Sequence, residues 1–282
     1  MKLLKKLFFI LLVFPFILLF SSSYSLSQES TPSSSFRSPS FDYSKAYQDY
    51  VYHLTLYRQA YQKFIVTKNE YLTYKTLTSE TKAQEAIKEM LEARSSVVIT
   101  YLTALRMRLE ETTGVLSYQS NLRFLELMKN IDTYEQQKKL FSAAASFKDL
   151  LKISQQFESQ YKQTEVLIYQ TLFTVISGRQ NNLRDQIQYQ ITKTTEKLAQ
   201  ITKEGQKDTA KAERWLLEAK NKVTLSQQKQ EDAQKNLTKL NPSLKDKNKT
   251  FSDSQLMLEE SNQYLKEAVS NLKETITEIK SE

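Results

Sequence analysis

Apolar side chains fill almost every position of two short stretches, residues 97–105 (VVITYLTAL) and 166–176 (VLIYQTLFTVI). A helix that is hydrophobic on all sides must be covered by other helices. Both stretches are also too short to cross a bilayer, which takes about 20 residues. They therefore predict the centre of a helical core.

Around these stretches, apolar residues recur at spacings of three and four, which predicts amphipathic helices. A first helix begins near Phe41 and carries a row of tyrosines. A second helix is predicted to begin at an N-cap, Thr81, with Gln84 completing a capping box. Its apolar row contains Ile87, Met90, Leu91, Val98, Leu102, Leu105 and Leu109.

Two further helices are predicted before Gly178. The third covers residues 117–139 and is expected to bury Leu122, Leu125, Met128 and Ile131. Gly114, just before it, suits a left-handed helix end. Ser146 and Asp149 resemble the cap of a fourth helix. That helix carries Leu150, Ile153, Phe157 and Tyr161 into the second apolar stretch.

Beyond Gly178 aromatic residues become rare, and the pattern predicts a coiled coil. The apolar row continues in phase through Gly178, so the fourth helix is expected to continue until Gly205. Heptads then flank a turn at 241–250, after which Ser252 is the expected N-cap, with Gln255 in its capping box and Phe251 packed on Leu256. We expect a candidate interaction stripe at Leu216, Val223, Leu237, Leu265, Leu272 and Ile276. Ser226 and Gln230 interrupt the heptads and are expected to weaken them.

The fold class is therefore all-α: an antiparallel up-down helical bundle extended by a long coiled-coil helical hairpin. The predicted domains are a Tyr-rich helical bundle at 41–177 and an elongated coiled-coil region at 178–282. Three glycines and four prolines are few for 282 residues. No proline lies between residues 40 and 241, so none interrupts the middle helices.

The first 27 residues have the layout of a secretory signal peptide. Lys2, Lys5 and Lys6 precede the apolar run of residues 7–20, and a serine-rich segment follows. Residues 28–40 form a Ser/Pro-rich linker. We expect an exported protein, either secreted, periplasmic or at the cell surface. The alternative is an uncleaved N-terminal anchor, which would be the chain's sole membrane contact.

Charge and composition restrict the partners and chemistry. The formal net charge of +8 falls to about +5 without the three signal lysines, and both signs are interleaved, so no specific nucleic-acid partner is expected. The chain contains no cysteine and one histidine, His53. Thiol catalysis and zinc–thiolate sites are excluded, and no histidine cluster exists to hold a metal. We therefore expect no catalytic residue, no metal and no cofactor.

Four tyrosines of the first helix, Tyr47, Tyr50, Tyr57 and Tyr61, form a candidate ligand groove. Phenols offer a flat apolar ring and a polar end, which suits an aromatic, sugar or lipid-like ligand. The alternative is structural: rings buried at the bundle edge with wet hydroxyls. The expected function is a non-enzymatic cell-envelope structural or protein–protein interaction module, which binds a protein partner or self-associates through coiled-coil helices. A tyrosine-lined ligand binder is the alternative.

Overall fold

Helices account for nearly all of the chain that the structure, a computed structural model, describes, namely residues 42–204 and 208–281. The described part contains no strand, so the predicted all-α helical bundle is confirmed. Its helices are α1 (Tyr43–Tyr74), α2 (Leu77–Glu110), α3 (Ser117–Ala143), α4 (Phe147–Glu204), α5 (Ala210–Leu237) and α6 (Lys247–Lys280). The signal peptide, the linker and the break expected at Gly205 lie outside the described residues.

Polar side chains cap the starts of α1 and α2. The Asp42 carboxylate accepts a hydrogen bond from the Lys45 amide at 2.9 Å at the start of α1. At α2, the Thr76 amide donates to Ser79 Oγ at 3.1 Å and the Ser79 amide to Thr76 Oγ1 at 3.2 Å. This reciprocal pair satisfies amides that lack an intrahelical acceptor. The start predicted at Thr81 is therefore wrong, because this earlier pair extends the helix by one turn.

The predicted buried row of α3 is wrong, because the helix presents a different side to its neighbours. Leu122 and Leu125 are exposed, whereas Leu127, Tyr134 and Phe141 are fully buried. Hydrogen bonds to α4 set this orientation: the Tyr134 hydroxyl pairs with Thr164 Oγ1 at 2.9 Å, well away from the predicted row. The helix has leucines on two sides, and spacing alone does not distinguish them.

Helix α4 is 58 residues long and continues through Gly178, as the apolar row predicted. The Ser146 cap is confirmed by the hydrogen bond from the Asp149 amide to Ser146 Oγ at 3.2 Å. Most of the two all-round apolar stretches is buried, as expected of a helical core. No described helix combines the length and the apolarity that crossing a bilayer requires.

The described residues form two compact units. The first contains residues 42–100 and Gln137–Glu158, and the second contains Tyr101–Gln136 and the described residues from Ser159 onward. The units thus divide within helices and not at the composition change after residue 177. In the second unit, the C-terminal half of α4 packs with α5 and α6 around a shared core that includes Ile191, Leu216 and Leu265. The hairpin is therefore accompanied by a third helix.

Helices α5 and α6 run antiparallel, joined by residues 238–246. Ion pairs at Lys211–Glu278, Lys222–Glu267 and Lys229–Glu260 show the register, since the number falls along α6 as it rises along α5. The start of α6 differs from the prediction: it begins at Lys247, so Ser252 lies inside the helix.

Contacts with α4 account for this earlier start. The Lys247 ammonium is buried in an ion pair with Glu165 at 3.0 Å. One turn later, the ring of Phe251 stacks on Tyr169 with centroids 4.7 Å apart, while Leu256, its expected partner, is exposed. Because of these contacts, α6 begins at least one turn before the start that the local capping signals predicted.

Candidate functional site

The four candidate tyrosines form two pairs along α1. The rings of Tyr47 and Tyr50 are 5.9 Å apart, and those of Tyr57 and Tyr61 are 6.1 Å apart. Tyr50 is buried, Tyr47 is exposed, and the other two are partly buried. Burial raises the pKa of the Tyr50 and Tyr57 phenols. The Tyr50 and Tyr57 hydroxyls are therefore expected to be protonated at neutral pH, which suits either a bundle edge or a groove wall.

A buried ion pair lies beside Tyr57. Arg94 Nη1 is 2.6 Å from Glu158 Oε1, and the guanidinium lies over the Phe157 ring at 4.6 Å from its centroid. A charged pair of this kind orients neighbouring helices more than it stabilises them. Neither of the two cavities considered below is lined by the four tyrosines. The tyrosine groove stays a prediction.

The candidate interaction stripe of α5 and α6 faces the inside of the second unit. Leu216, Val223, Leu237, Leu265 and Leu272 are all at most 8% exposed, and only Ile276, at 37%, reaches the surface. Four of these residues belong to the core shared with α4, namely Leu216, Val223, Leu265 and Leu272. These side chains are covered within the chain, so the stripe is not displayed to another protein.

Ser226 and Gln230, the polar residues that interrupt the heptads, form hydrogen bonds with residues of neighbouring helices. Ser226 and Ser261 are fully buried, their hydroxyl oxygens lie 2.9 Å apart, and Ser261 donates to the Ser226 carbonyl at 2.8 Å. Arg184 donates through Nη2 to Ser226 at 3.3 Å and to Gln230 at 2.5 Å. Because the two serine hydroxyls and the Gln230 amide have partners, these groups cost less than unpaired buried polar groups would.

An apolar face is left exposed on the N-terminal half of α3. Tyr118 is 67% exposed, Leu122 53% and Leu125 64%. Their spacing of four and three places them on one side of the helix. A contiguous exposed apolar row of this kind marks a binding surface more often than scattered apolar residues do.

Next to this face, a cleft of about 660 Å³ opens between α3, α4 and α5. All of its lining belongs to the second unit. Its walls are rich in amide side chains, contributed by Gln119, Gln170, Asn181, Gln227, Gln230 and Gln234. Arg184 and Glu231 are charged members of the wall. A second cavity of about 480 Å³, bordered by Asn130 and Gln163, lies between α3 and α4.

Arg184 is the most constrained charged group in the cleft. Its Nη1 donates to Asn181 Oδ1 at 2.9 Å, in addition to the two bonds of the polar layer. Burial lowers the pKa of its guanidinium, while the charges of Asp185 and Glu231 oppose that shift. The sequence analysis missed this site, although the polar Ser226 and Gln230 at heptad positions were the signal that a polar group faces them.

The metal-ligating side chains of the described residues are dispersed along the chain. His53 lies on α1, 3.7 Å from Asp49. Among the residues that the structure describes, no group of three or more His, Asp or Glu side chains could hold a metal ion. Comparisons of the chain with protein-family models, with curated proteins and with solved structures find no match.

Proposed function

We propose that this chain is an exported, non-enzymatic protein–protein interaction module of the cell envelope, and that it self-associates through the exposed face of α3. The supporting observation is the row of Tyr118, Leu122 and Leu125, each more than half exposed on a helix whose opposite side is packed. The face is defined here by these three residues. It replaces the heptad stripe as the surface offered to a partner.

A second copy of the chain fits this face because the row is self-complementary. In an antiparallel pair related by a twofold axis, Leu122 of one copy contacts Leu125 of the other. The symmetry repeats this contact, so Leu125 of the first copy contacts Leu122 of the second. The same arrangement brings Tyr118 beside the apolar stem of Lys129, and a lysine stem packs well on an aromatic ring.

The expected dimer is weak. Complete burial of a leucine side chain stabilises by about 1.5–3 kcal/mol, so four leucines supply about 6–12 kcal/mol in total. Loss of translational and rotational freedom costs about 4–15 kcal/mol. The two terms nearly balance, so the leucines alone do not hold a dimer at micromolar concentration, which takes a net of about 8 kcal/mol. The Tyr118–Lys129 contacts add to them, and the dimer is expected only in the upper micromolar range.

Light scattering after size exclusion tests the proposal on the mature protein, residues 28–282. We expect the mass to rise from monomer to dimer between about 1 and 200 μM. Leu125→Glu should keep the protein monomeric, because a charge cannot be buried against leucine. Leu217→Glu is the matched control: Leu217 is 57% exposed, on α5, and its substitution should leave the dimer unchanged.

Two outcomes contradict self-association. One is a wild-type protein that stays monomeric across this range, including one that instead captures a different protein. The other is a dimer that Leu125→Glu and Leu217→Glu weaken equally, which would assign the contact to another surface.

Export is supported by the basic, apolar and serine-rich order of the first 27 residues. N-terminal sequencing of the protein recovered from the envelope and medium is the direct test. A new N-terminus near Gln28 is the expected result. A full-length chain retained in the cytosol contradicts export, whereas an intact N-terminus in the membrane fraction favours the anchored alternative.

A further inference from the structure

Two opposite charges on the walls of the 660 Å³ cleft form no ion pair at contact distance in the described chain, although the Glu231 charge acts on Arg184 from further away. Arg184, on α4, is hydrogen-bonded only to neutral oxygens, those of Asn181, Ser226 and Gln230. Glu231, on α5, accepts a hydrogen bond from Gln227 Nε2 at 3.1 Å. Other charged residues of the second unit do form ion pairs between helices, as Lys229 and Glu260 do.

Hydrogen-bonding capacity is also left unused in the wall. Ser177 is 8% exposed, and its hydroxyl has no hydrogen-bond partner in the structure. Nearby hydroxyls on the same helix donate to the carbonyl four residues earlier, as Thr171 does to Leu167 and Thr174 to Gln170. Arg184 Nε is likewise buried and unpaired. Buried polar atoms without a partner are rare and call for an explanation.

The remaining wall matches a peptide backbone. Side-chain amides donate and accept hydrogen bonds through the same group, as a peptide unit does. Gln119, Gln170 and Gln234 supply such groups around the cleft. Its volume falls within the roughly 300–1,000 Å³ typical of small-ligand sites.

We propose that this cleft binds a short peptide with free ends, with its carboxylate on Arg184, its ammonium on Glu231 and its amides on the glutamines. Arg184 Nη1 uses one of its two hydrogens on Asn181, and its second hydrogen is the donor offered to the carboxylate. Ser177 supplies a further hydroxyl to the same ligand. This binding activity does not depend on self-association through α3, although Leu122 of the α3 face also lines the cleft.

Isothermal titration calorimetry with trialanine and its blocked forms tests each contact separately. Trialanine binds the mature protein. N-acetyl-trialanine lacks the ammonium and trialanine amide lacks the carboxylate, and each binds at least about tenfold more weakly, because a charge-assisted hydrogen bond is lost. The form blocked at both ends gives no heat. Alanine and dialanine in the same series establish the length that the cleft prefers.

Glu231→Gln identifies the ammonium contact. In this variant trialanine and N-acetyl-trialanine bind with equal affinity, while trialanine amide remains the weaker ligand. Glu218→Gln is the matched control, since Glu218 is an exposed glutamate on the same helix, outside the cleft. It leaves all four affinities unchanged. Arg184→Lys reduces trialanine binding, provided that circular dichroism shows the helices intact.

Three results overturn the proposal: no heat from trialanine at millimolar concentration, equal binding of the free and blocked forms, or Glu231→Gln leaving the preference for a free ammonium unchanged. None of these requires Arg184→Lys to fold. Light scattering on Glu231→Gln keeps the two proposals apart, because this variant self-associates like the wild type whether or not the peptide binds.

Discussion

Gly114 lies directly against the backbone of Gly178, and neither position has room for a side chain. A Cβ atom on Gly114 would lie 2.1 Å from the Gly178 carbonyl oxygen, and Gly114 has a φ of +80°. A Cβ atom on Gly178 would lie 2.3 Å from Val115 Cγ2. The loop between α2 and α3 thus packs onto the middle of α4 through two glycines that are 64 residues apart in the chain.

Gly178→Ala is expected to destabilise the protein by about 1–2 kcal/mol. In an exposed helix this change would stabilise by about 1 kcal/mol, but overpacking against Val115 costs about 1–3 kcal/mol. Urea unfolding followed by circular dichroism measures the difference.

The double variant Gly178→Ala with Val115→Ala is the control, because it removes the side chain that the new methyl group meets. It should recover part of the loss relative to Val115→Ala alone. A Gly178→Ala protein more stable than the wild type would show that the loop moves away at little cost.

Leu127→Ala and Leu125→Ala test which side of α3 is packed. Leu127 is fully buried, so truncation should cost about 2–5 kcal/mol, whereas the exposed Leu125 should cost less than about 1 kcal/mol. Chemical denaturation at about 1 μM avoids any contribution from association. If Leu125→Ala destabilises the protein more than Leu127→Ala does, the buried side of α3 is the one that the spacing predicted.

Ser226→Leu is expected to destabilise, although it completes the heptad. Ser226 is fully buried with its hydroxyl oxygen 2.9 Å from that of Ser261. A leucine there has no space, at a cost of about 1–3 kcal/mol from packing alone. It also removes the hydroxyl that accepts one of the hydrogen bonds from Arg184 Nη2. Thermal melting measures it, with Ser226→Ala as the smaller-volume control. A Ser226→Leu variant that melts higher than the wild type would contradict the polar layer as a stabilising arrangement.

Stability should fall at alkaline pH because two buried phenols must stay protonated. Burial raises the pKa of Tyr161 well above its usual range, and burial together with Glu165 raises that of Tyr169. A group with a raised pKa in the folded state contributes fully below its unfolded value, about 10. That contribution is lost as the pH rises toward the folded value.

Urea midpoints between about pH 8 and pH 11.5 measure this loss for the wild type and for Tyr169→Phe. The variant should be less stable near pH 8, since Tyr169 donates a hydrogen bond to Asn248. It should then lose less stability as the pH rises. Tyr189→Phe is the control at a 60% exposed tyrosine. If the urea midpoints of Tyr169→Phe and the wild type fall equally as the pH rises, ionisation of Tyr169 does not cause the alkaline loss of stability.

The capping signals show how well local sequence predicts where helices begin in this chain. Ser146 was predicted correctly because Asp149 completes its cap within three residues. Ser252 was predicted by the same reasoning and lies inside α6, because Lys247 and Phe251 gain partners on α4, about 80 residues earlier. A cap is a local preference of about 1 kcal/mol, and several tertiary contacts together outweigh it.

The sequence by itself determined the helical class and the continuity of α4 through Gly178, because these depend on spacing along one helix. Only the tertiary structure decided which side of α3 is covered, what the heptad row packs against, and that Arg184 and Glu231 share a cleft. Helical periodicity shows that a side is apolar, but its partner depends on side-chain shape and hydrogen bonding between segments distant in sequence. For that reason Leu122 and Leu125, expected in the core, became the proposed contact with a second copy.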